Sequence, residues 1–251
     1  MSSAAEPYTA SQYDGELAGT LAERWGLAAV HAYDAVGSTL DVAHRLAPGA
    51  ASGTLVLAHE QTAGRGRHGH RWSSAPGAGV WLTLIERPVD VRSLDVMALR
   101  CGLHAAEALD TLAPGPISVK WPNDLYVRDR KLAGILIETR WRGTSPEWVA
   151  IGFGLNVTQP DVPAATGLAA GVSRLAALDV LIPALRRAAA ATHHLSAAEL
   201  SRWAARDMAA GRVATAPAPG TVQGIAATGE LLIESGGLTT AHRSGSLTFA
   251  E

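Results

Sequence analysis

Between residues 117 and 157 four apolar, β-rich segments follow one another: ISVKW, LYV, KLAGILIET and WVAIGFGLNV. The first three are joined only by Pro122-Asn123-Asp124 and Arg128-Asp129-Arg130. Joints that short pair neighbouring strands antiparallel, because a parallel crossover needs about a dozen residues or more. Three further runs read as strands: HAYDAV (31–36), TLVLAHE (54–60) and VWLTLIE (80–86). Helical spacing occupies much of the rest. Leu17, Leu21 and Trp25 predict a first helix over 11–27, residues 93–112 a long amphipathic one, and 173–207 a helical stretch interrupted near Pro183. The expected class is therefore α+β, a mixed or antiparallel central sheet flanked by helices.

After Gly211 the texture changes to short strands (RVATA, TVQGIAA, ELLIES, LTTAH, SLTFA) parted by Gly and Pro. This predicts a small β-barrel-like module, too small to stand easily alone and packed on the main domain. The expected division is 1–210 and 211–251, with a loose terminus over residues 1–10. Apolar residues at 47% and charged residues at 18% describe a soluble globular protein. A formal net charge of −2 argues against nucleic acid or an anionic membrane as a partner. No apolar run is long enough to span a bilayer, and the first residues lack the pattern of a signal peptide. A single cysteine, Cys101, excludes an internal disulfide and fits the cytoplasm; its apolar helical setting reads as a buried structural thiol.

The polar chemistry is concentrated in a few segments. Only two lysines occur, Lys120 and Lys131, both within KWPNDLYVRDRKLAGIL, while the other 19 permanent cations are arginines. A chain so biased to arginine keeps lysine where a compact ammonium is needed. In EQTAGRGRHGHRW (60–72), Gly64, Gly66 and Gly69 alternate with Arg65, Arg67 and Arg71. Such a loop can gather guanidiniums around a carboxylate and phosphates. Neither the phosphate-loop nor the dinucleotide-turn pattern fits it. His68 and His70 stand among arginines that repel a cation, so no permanent metal site is expected there. Pro122-Asn123-Asp124 is a turn beyond a strand end, with Trp121 as a packing residue. Gly134 inside a strand signals close approach by another group. Asn156 is polar within an apolar run.

Together with Gly37-Ser38-Thr39, these segments resemble the biotin protein ligase family. Its catalytic domain carries a GST turn, a Q-x-x-G-R-G-R-x-G-R-x-W loop, a KWPND turn and a RKLAGIL strand. Here they read GSTL, QTAGRGRHGHRW, KWPND and RKLAGIL, in the family order. The resemblance covers about residues 30–158 and extends more weakly to the C terminus. It implies a class II synthetase-like catalytic domain and a small C-terminal SH3-like β-barrel. Only 36 residues precede Gly37, so the expectation is the ligase-only class without the family's DNA-binding domain.

The resemblance implies that ATP, with Mg²⁺ on its phosphates, and biotin form biotinyl-5′-AMP. Biotin then passes to a lysine of a biotin carboxyl carrier domain. Carried over by position, Ser38, Thr39 and Gln61 hold the biotin ring, and Gly64, Arg65, Gly66 and Arg67 form the loop closing over the carboxylate and adenylate. Lys131, with Gly134 on the same strand, meets the carboxylate and α-phosphate. His70, Trp72, Asn123 and Asn156 fall on the nucleotide side. Arg65, Arg67 and Lys131 are the implied catalytic cations. Asp124 would orient Lys131 or accept a proton from the incoming amine. Leu40 stands where Asn is common, and His70 where Arg is usual. The rival readings are a lipoate or octanoate ligase of the same fold, or a non-catalytic biotin- or nucleotide-binding sensor. Either a monomer or a homodimer is compatible with the sequence.

Glycines lose much entropy on ordering, so the 64–71 loop is expected to tighten only when an anion gathers its arginines. Limited proteolysis should therefore show cleavage within 64–71 slowing when biotin and ATP are added. Equal cleavage with and without them refutes the expectation.

Overall fold

The structure, a computed structural model, describes residues 9–88 and 90–250. The described residues open with β1 (Thr9–Ala10), a small hairpin of β2 (Gln12–Tyr13) and β3 (Glu16–Leu17), then α1 (Ala18–Trp25). Of the loose terminus expected over 1–10, residues 9 and 10 are instead paired with β4 (Ala29–Val36), and 1–8 lie outside the described residues. The helix predicted over 11–27 is thus confined to its second half. Asp14 and Gly15 both adopt positive φ (51° and 83°), an Asp-Gly turn that commits the preceding residues to a hairpin. Leu17, counted as a helical core position, is 53% exposed.

The body follows as β4 (Ala29–Val36), α2 (Thr39–Leu46), β5 (Thr54–Gln61) and β6 (Gly79–Glu86). The predicted 93–112 helix is divided into α3 (Arg92–Asp95) and α4 (Met97–Leu109), because Val96 leaves helical geometry at φ −113°, ψ 6°. The antiparallel meander is β7 (Ile117–Lys120), β8 (Asp124–Val127), β9 (Arg130–Arg142) and β10 (Ser145–Asn156). Two helices come next, α5 (Arg174–Ala190) and α6 (Ala197–Ala204). Pro183 lies inside α5 without interrupting it. Its buried neighbours Leu181, Ile182, Ala184 and Leu185 offset the lost backbone bond, and the real break falls after Ala190.

Eight strands form one mixed sheet in the order β1-β4-β5-β6-β10-β9-β8-β7. Only β4 and β5 run parallel. Alternation along β5 sends Leu55 and Leu57 into the main core, which α4 and α5 cover, while Val56 and Ala58 join a smaller cluster under α2 with Ile85 and Ala150. The expected class is borne out.

The C-terminal strands are β11 (Val213–Ala216), β12 (Gly220–Ile225), β13 (Leu231–Ser235), β14 (Leu238–His242) and β15 (Thr248–Phe249). They make an antiparallel sheet in the order β14-β13-β12-β11-β15. The barrel expected from the sequence is not closed: β14 and β15 are separate edges, and a two-residue β15 is too short to bridge them. Val222, Leu231 and Ile233 of this sheet, and Leu247 just before β15, belong to the main core cluster.

One buried ion pair ties α4 to the start of α6. Arg100, 1% exposed, donates from Nε to Glu199 at 2.6 Å and from Nη2 to the carbonyl of His194 at 3.0 Å. Burial raises the Glu199 pKa, but hydrogen bonds from Arg100 and Ser196 outweigh it and hold the carboxyl down at about 2. A depressed folded pKa stabilises above the ordinary carboxylate range and is lost as pH falls towards about 2. Removing one partner of a buried pair costs about 3–5 kcal/mol. Glu199→Ala should approach that loss in urea denaturation at pH 7, and the deficit should shrink between pH 4.5 and 2. A pH-independent deficit would show that the charge is not what matters.

Candidate active site

Helix α2 covers only part of its face of the sheet. The uncovered part carries a cavity of about 230 Å³, floored by Gly134, Gly152 and Gly154 of β9 and β10. The floor is thin because two large side chains rest on it. A Cβ on Gly154 would lie 2.7 Å from Cε2 of Trp72, one on Gly134 would lie 3.0 Å from Cζ3 of the same indole, and one on Gly152 would meet Leu40 at 3.1 Å. The group that approaches Gly134 closely is thus Trp72. Trp72 also donates its backbone N–H to Gly64 at 2.9 Å, which fastens the end of the glycine–arginine loop to the sheet.

Lys131 reaches this face through a bulge. Tyr126 pairs with Lys131 but Leu125 with Ala133, so Leu132 is an extra residue in β9. Strict alternation would put Lys131 and Gly134 on opposite faces, and the inserted residue brings them to the same one. Lys131 Nζ then lies 2.7 Å from Asp124 Oδ1 and 5.2 Å from the centre of the Trp72 ring.

At the α2 end the walls are polar and tightly bonded. Ser38 caps α2, accepting from the Leu40 N–H at 3.3 Å. Gln61 Oε1 accepts from both the backbone N–H and the hydroxyl of Thr39, at 2.9 and 3.1 Å, while its Nε2 donates to Ser74 at 2.9 Å. Thr83 donates to the Thr39 hydroxyl at 2.9 Å. Sequence reasoning passed over Thr83 and Ser74. Thr83, fully buried, was signalled as a polar residue inside the apolar run VWLTLI; nothing marked Ser74.

The arginines divide. Arg65 lines the cavity, yet its guanidinium is held at the rim by Asp41 at 2.9 Å and Glu138 at 2.5 Å, and Glu138 also takes His44. Neither acid was anticipated. Arg67 has no carboxylate partner among the described residues. Its Nη1 donates to the Gly245 carbonyl at 3.2 Å and reaches Asn123 Oδ1 at 3.5 Å. Burial lowers its pKa while Asp124 raises it. Asn123 donates in turn to the Ile135 carbonyl at 2.6 Å. Gly66 and His70 also line the cavity, and Ser246 and Leu247 of the connection between β14 and β15 close one side, which no sequence pattern indicated. Trp121 is core, as expected: it is 2% exposed and donates to the Gly229 carbonyl. Two anticipated residues are not brought to the wall. Asn156 is 8% exposed and outside the lining, its Nδ2 3.4 Å from the Lys131 carbonyl. Gly64 is packed against the Trp72 carbonyl, where a Cβ would come within 2.5 Å.

Residues 36–156 match the biotin/lipoate A/B protein ligase family. A biotin–[acetyl-CoA-carboxylase] ligase of Paracoccus denitrificans is 35% identical over 224 residues, covering 78% of this chain and 90% of that protein. The bifunctional ligase/repressor BirA of Bacillus subtilis is 38% identical over 129 residues. That match takes in 51% of this chain but only 40% of the relative, so the chain spans well under two thirds of that protein. Among solved structures, biotin protein ligase from Aquifex aeolicus in complex with biotin and ATP superposes with a TM-score of 0.72. It covers 88% of this chain and 99% of its own at 24% identity, a likeness of fold.

Overfilling a packed contact costs about 1–3 kcal/mol. Gly154→Ala should lose that much stability in chemical denaturation, and the loss should largely vanish in a Trp72→Ala background. An equal loss in both backgrounds would mean that the indole is not what the glycine accommodates.

Proposed function

The chain belongs to the biotin/lipoate A/B protein ligase family, and on that premise we propose that it is an ATP-dependent biotin protein ligase. It joins biotin and ATP into biotinyl-5′-AMP and pyrophosphate, then passes the biotinyl group to the ε-amine of a lysine on a biotin carboxyl carrier domain. The reading is carried by one observation: Arg67 and Lys131, from separate segments, line the same cavity as the Ser38–Thr39–Gln61 cluster. Bringing a carboxylate against a triphosphate sets like charges together, so the reaction needs cations that stay protonated at that point. Lys131 offers a single ammonium, and Asp124 and the Trp72 face fix where it points.

The polar end favours biotin over lipoate. A ureido ring offers both donors and acceptors to Ser38, Thr39 and Gln61, whereas a dithiolane leaves such buried groups unmatched. Cys101 supplies no acyl-thioester route, since burial pushes its thiol up to about 12. That argues for the adenylate path over octanoyl transfer. Arg65, already neutralised at the rim, anchors the loop, whereas Arg67 meets the carboxylate and phosphate. Trp72, His70 and Asn123 border the nucleotide, and Asn156 supports Lys131 from below.

Among the described residues no group of three or more His, Cys, Asp or Glu is assembled as a metal site, and Asp124 is the one carboxylate lining the cavity. That donor set would suit a magnesium ion carried in on the phosphates: Asp124 is the residue that would help hold it, and the ion would supply charge neutralisation. Residues 211–251 serve as a small C-terminal module on a catalytic body of 1–210. No described helix is long and apolar enough to cross a membrane. A cytosolic reaction is part of the proposal, supported by the one unpaired cysteine of the sequence.

Lys131→Arg tests the reading. The guanidinium keeps the charge but not the compact point geometry, so biotin-dependent pyrophosphate release should fall by about 100-fold or more with the fold intact by circular dichroism. Near wild-type release removes Lys131 from the mechanism. A wild-type chain that adenylates lipoate but not biotin overturns the substrate.

A further inference from the structure

The chain keeps two lysines, and the reaction just described gives a task to one of them. Lys120, at the end of β7, lines the same cavity as Lys131. Its ammonium is half-buried, yet among the described residues no carboxylate comes within 4.0 Å of it, whereas Asp124 takes Lys131 and Asp41 and Glu138 take Arg65. Two aromatic faces stand in for a counter-ion: Tyr126 at 5.4 Å and Phe249 at 5.3 Å from Nζ. Such contacts offset part of the desolvation of an ammonium and hold it in place without consuming its N–H donors. Burial lowers its pKa, Asp124 raises it, and Lys131 and Arg212 lower it further, so Lys120 stands in a field of positive charge.

Arg67 is the other half-buried cation here that no carboxylate neutralises, and the two converge on one turn. Arg67 donates to the Gly245 carbonyl, Lys120 abuts the Phe249 ring, and Ser246 and Leu247 between those points line the cavity. On the other side they flank the Pro122-Asn123-Asp124 turn: Lys120 pairs with Asp124 across the β7–β8 ladder, and Arg67 reaches Asn123. Two unneutralised cations at one end of a cavity call for an anion with more than one charged oxygen.

We propose that Lys120 and Arg67, against the Gly245–Leu247 turn, form a subsite for the pyrophosphate portion of the nucleotide, distinct from the Lys131–Asp124 pair. The proposal rests on the ligase reading. In adenylate formation a carboxylate oxygen bonds to the α-phosphorus, and the bond from that phosphorus to the oxygen bridging to the β-phosphorus breaks. The electron pair stays on the departing oxygen, and Lys120 stabilises the charge that develops on pyrophosphate. No oxidant, reductant or enzyme nucleophile is involved. Lys120 does not act on the amine that attacks later.

The test uses the full chain. With only two lysines, acylation by an amine-reactive ester followed by mass spectrometry reports Lys120 and Lys131 separately. Inorganic pyrophosphate should protect Lys120, and biotin alone should not. Lys120→Met should weaken pyrophosphate binding by calorimetry, and slow biotin-dependent ATP–pyrophosphate exchange, by about 10-fold or more, with Lys120→Arg recovering most of both. Transfer from supplied biotinyl-adenylate to hydroxylamine should change far less. Unchanged pyrophosphate affinity in folded Lys120→Met, an absence of protection, or a loss confined to the transfer step each overturns the proposal. If the wild-type chain shows no biotin-dependent exchange, the ligase reading falls, while calorimetry with pyrophosphate still decides the subsite. Should Lys120→Met not fold, protection of the wild-type lysine decides.

Discussion

An indole resting on a glycine floor is the contact on which the site depends. Gly134 and Gly154 pair across β9 and β10, and Trp72 occupies the space their missing side chains leave. Three consequences follow from that one fit. The glycine–arginine loop is tied back to the sheet beside Gln61, since Trp72 and Gly64 are hydrogen-bonded and Gly64 has no room for a side chain. The face of the indole becomes a platform for the Lys131 ammonium. The cavity keeps its depth, because Trp72 forms part of its wall. Without the glycines the loop would ride higher and its arginines would face solvent.

Part of this was legible in the sequence and part was not, for physical reasons. Local patterns carried the strands and the concentration of chemistry around 60–72 and 120–136, because each depends on residues close in the chain. The sense in which Gly134 was thin was also legible, though not what covered it. The bulge at Leu132 was hidden: period-two alternation around KLAGIL gives no sign that one residue is left unpaired, and only the register against β8 reveals it. Asp41, Glu138 and the Gly245–Leu247 turn were hidden for a different reason. Their partners lie tens to hundreds of residues away, and an acid in a helix or strand carries no mark of the arginine it will meet. The misplaced first helix was avoidable, since Asp14-Gly15 between short β-prone runs is a hairpin signal in its own right.

Sequence position also misjudged which arginine does what. Arg65 and Arg67 are two residues apart in one loop and looked equivalent. The tight turn over Arg67–Gly69 sends them to different surroundings: Arg65, 38% exposed, to two acids, and Arg67 to a carbonyl and an amide. An ion pair this exposed contributes about 0–1 kcal/mol, too little to lock the loop shut against the entropy of its glycines. Its role is to limit where the loop goes.

Charge accounting then separates holding from binding. A cation matched by a carboxylate has most of its field cancelled nearby, so an incoming anion gains less from it unless that pair opens. A half-buried cation matched only by neutral dipoles or aromatic faces keeps its field for whatever enters. On the proposed reading Arg65 holds, and Arg67 and Lys120 bind. Lys131 is intermediate, because Asp124 fixes its direction while tempering its charge. In the proposed reaction, when a carboxylate and a phosphate arrive together, Lys131 turns towards them within the reach of a single ammonium, leaving Asp124 free to take a proton. A guanidinium in that place would have two or three donors to redirect at once, which suits the strand bulge in this wall to a lysine in a chain whose permanent cations, Lys120 apart, are otherwise arginines.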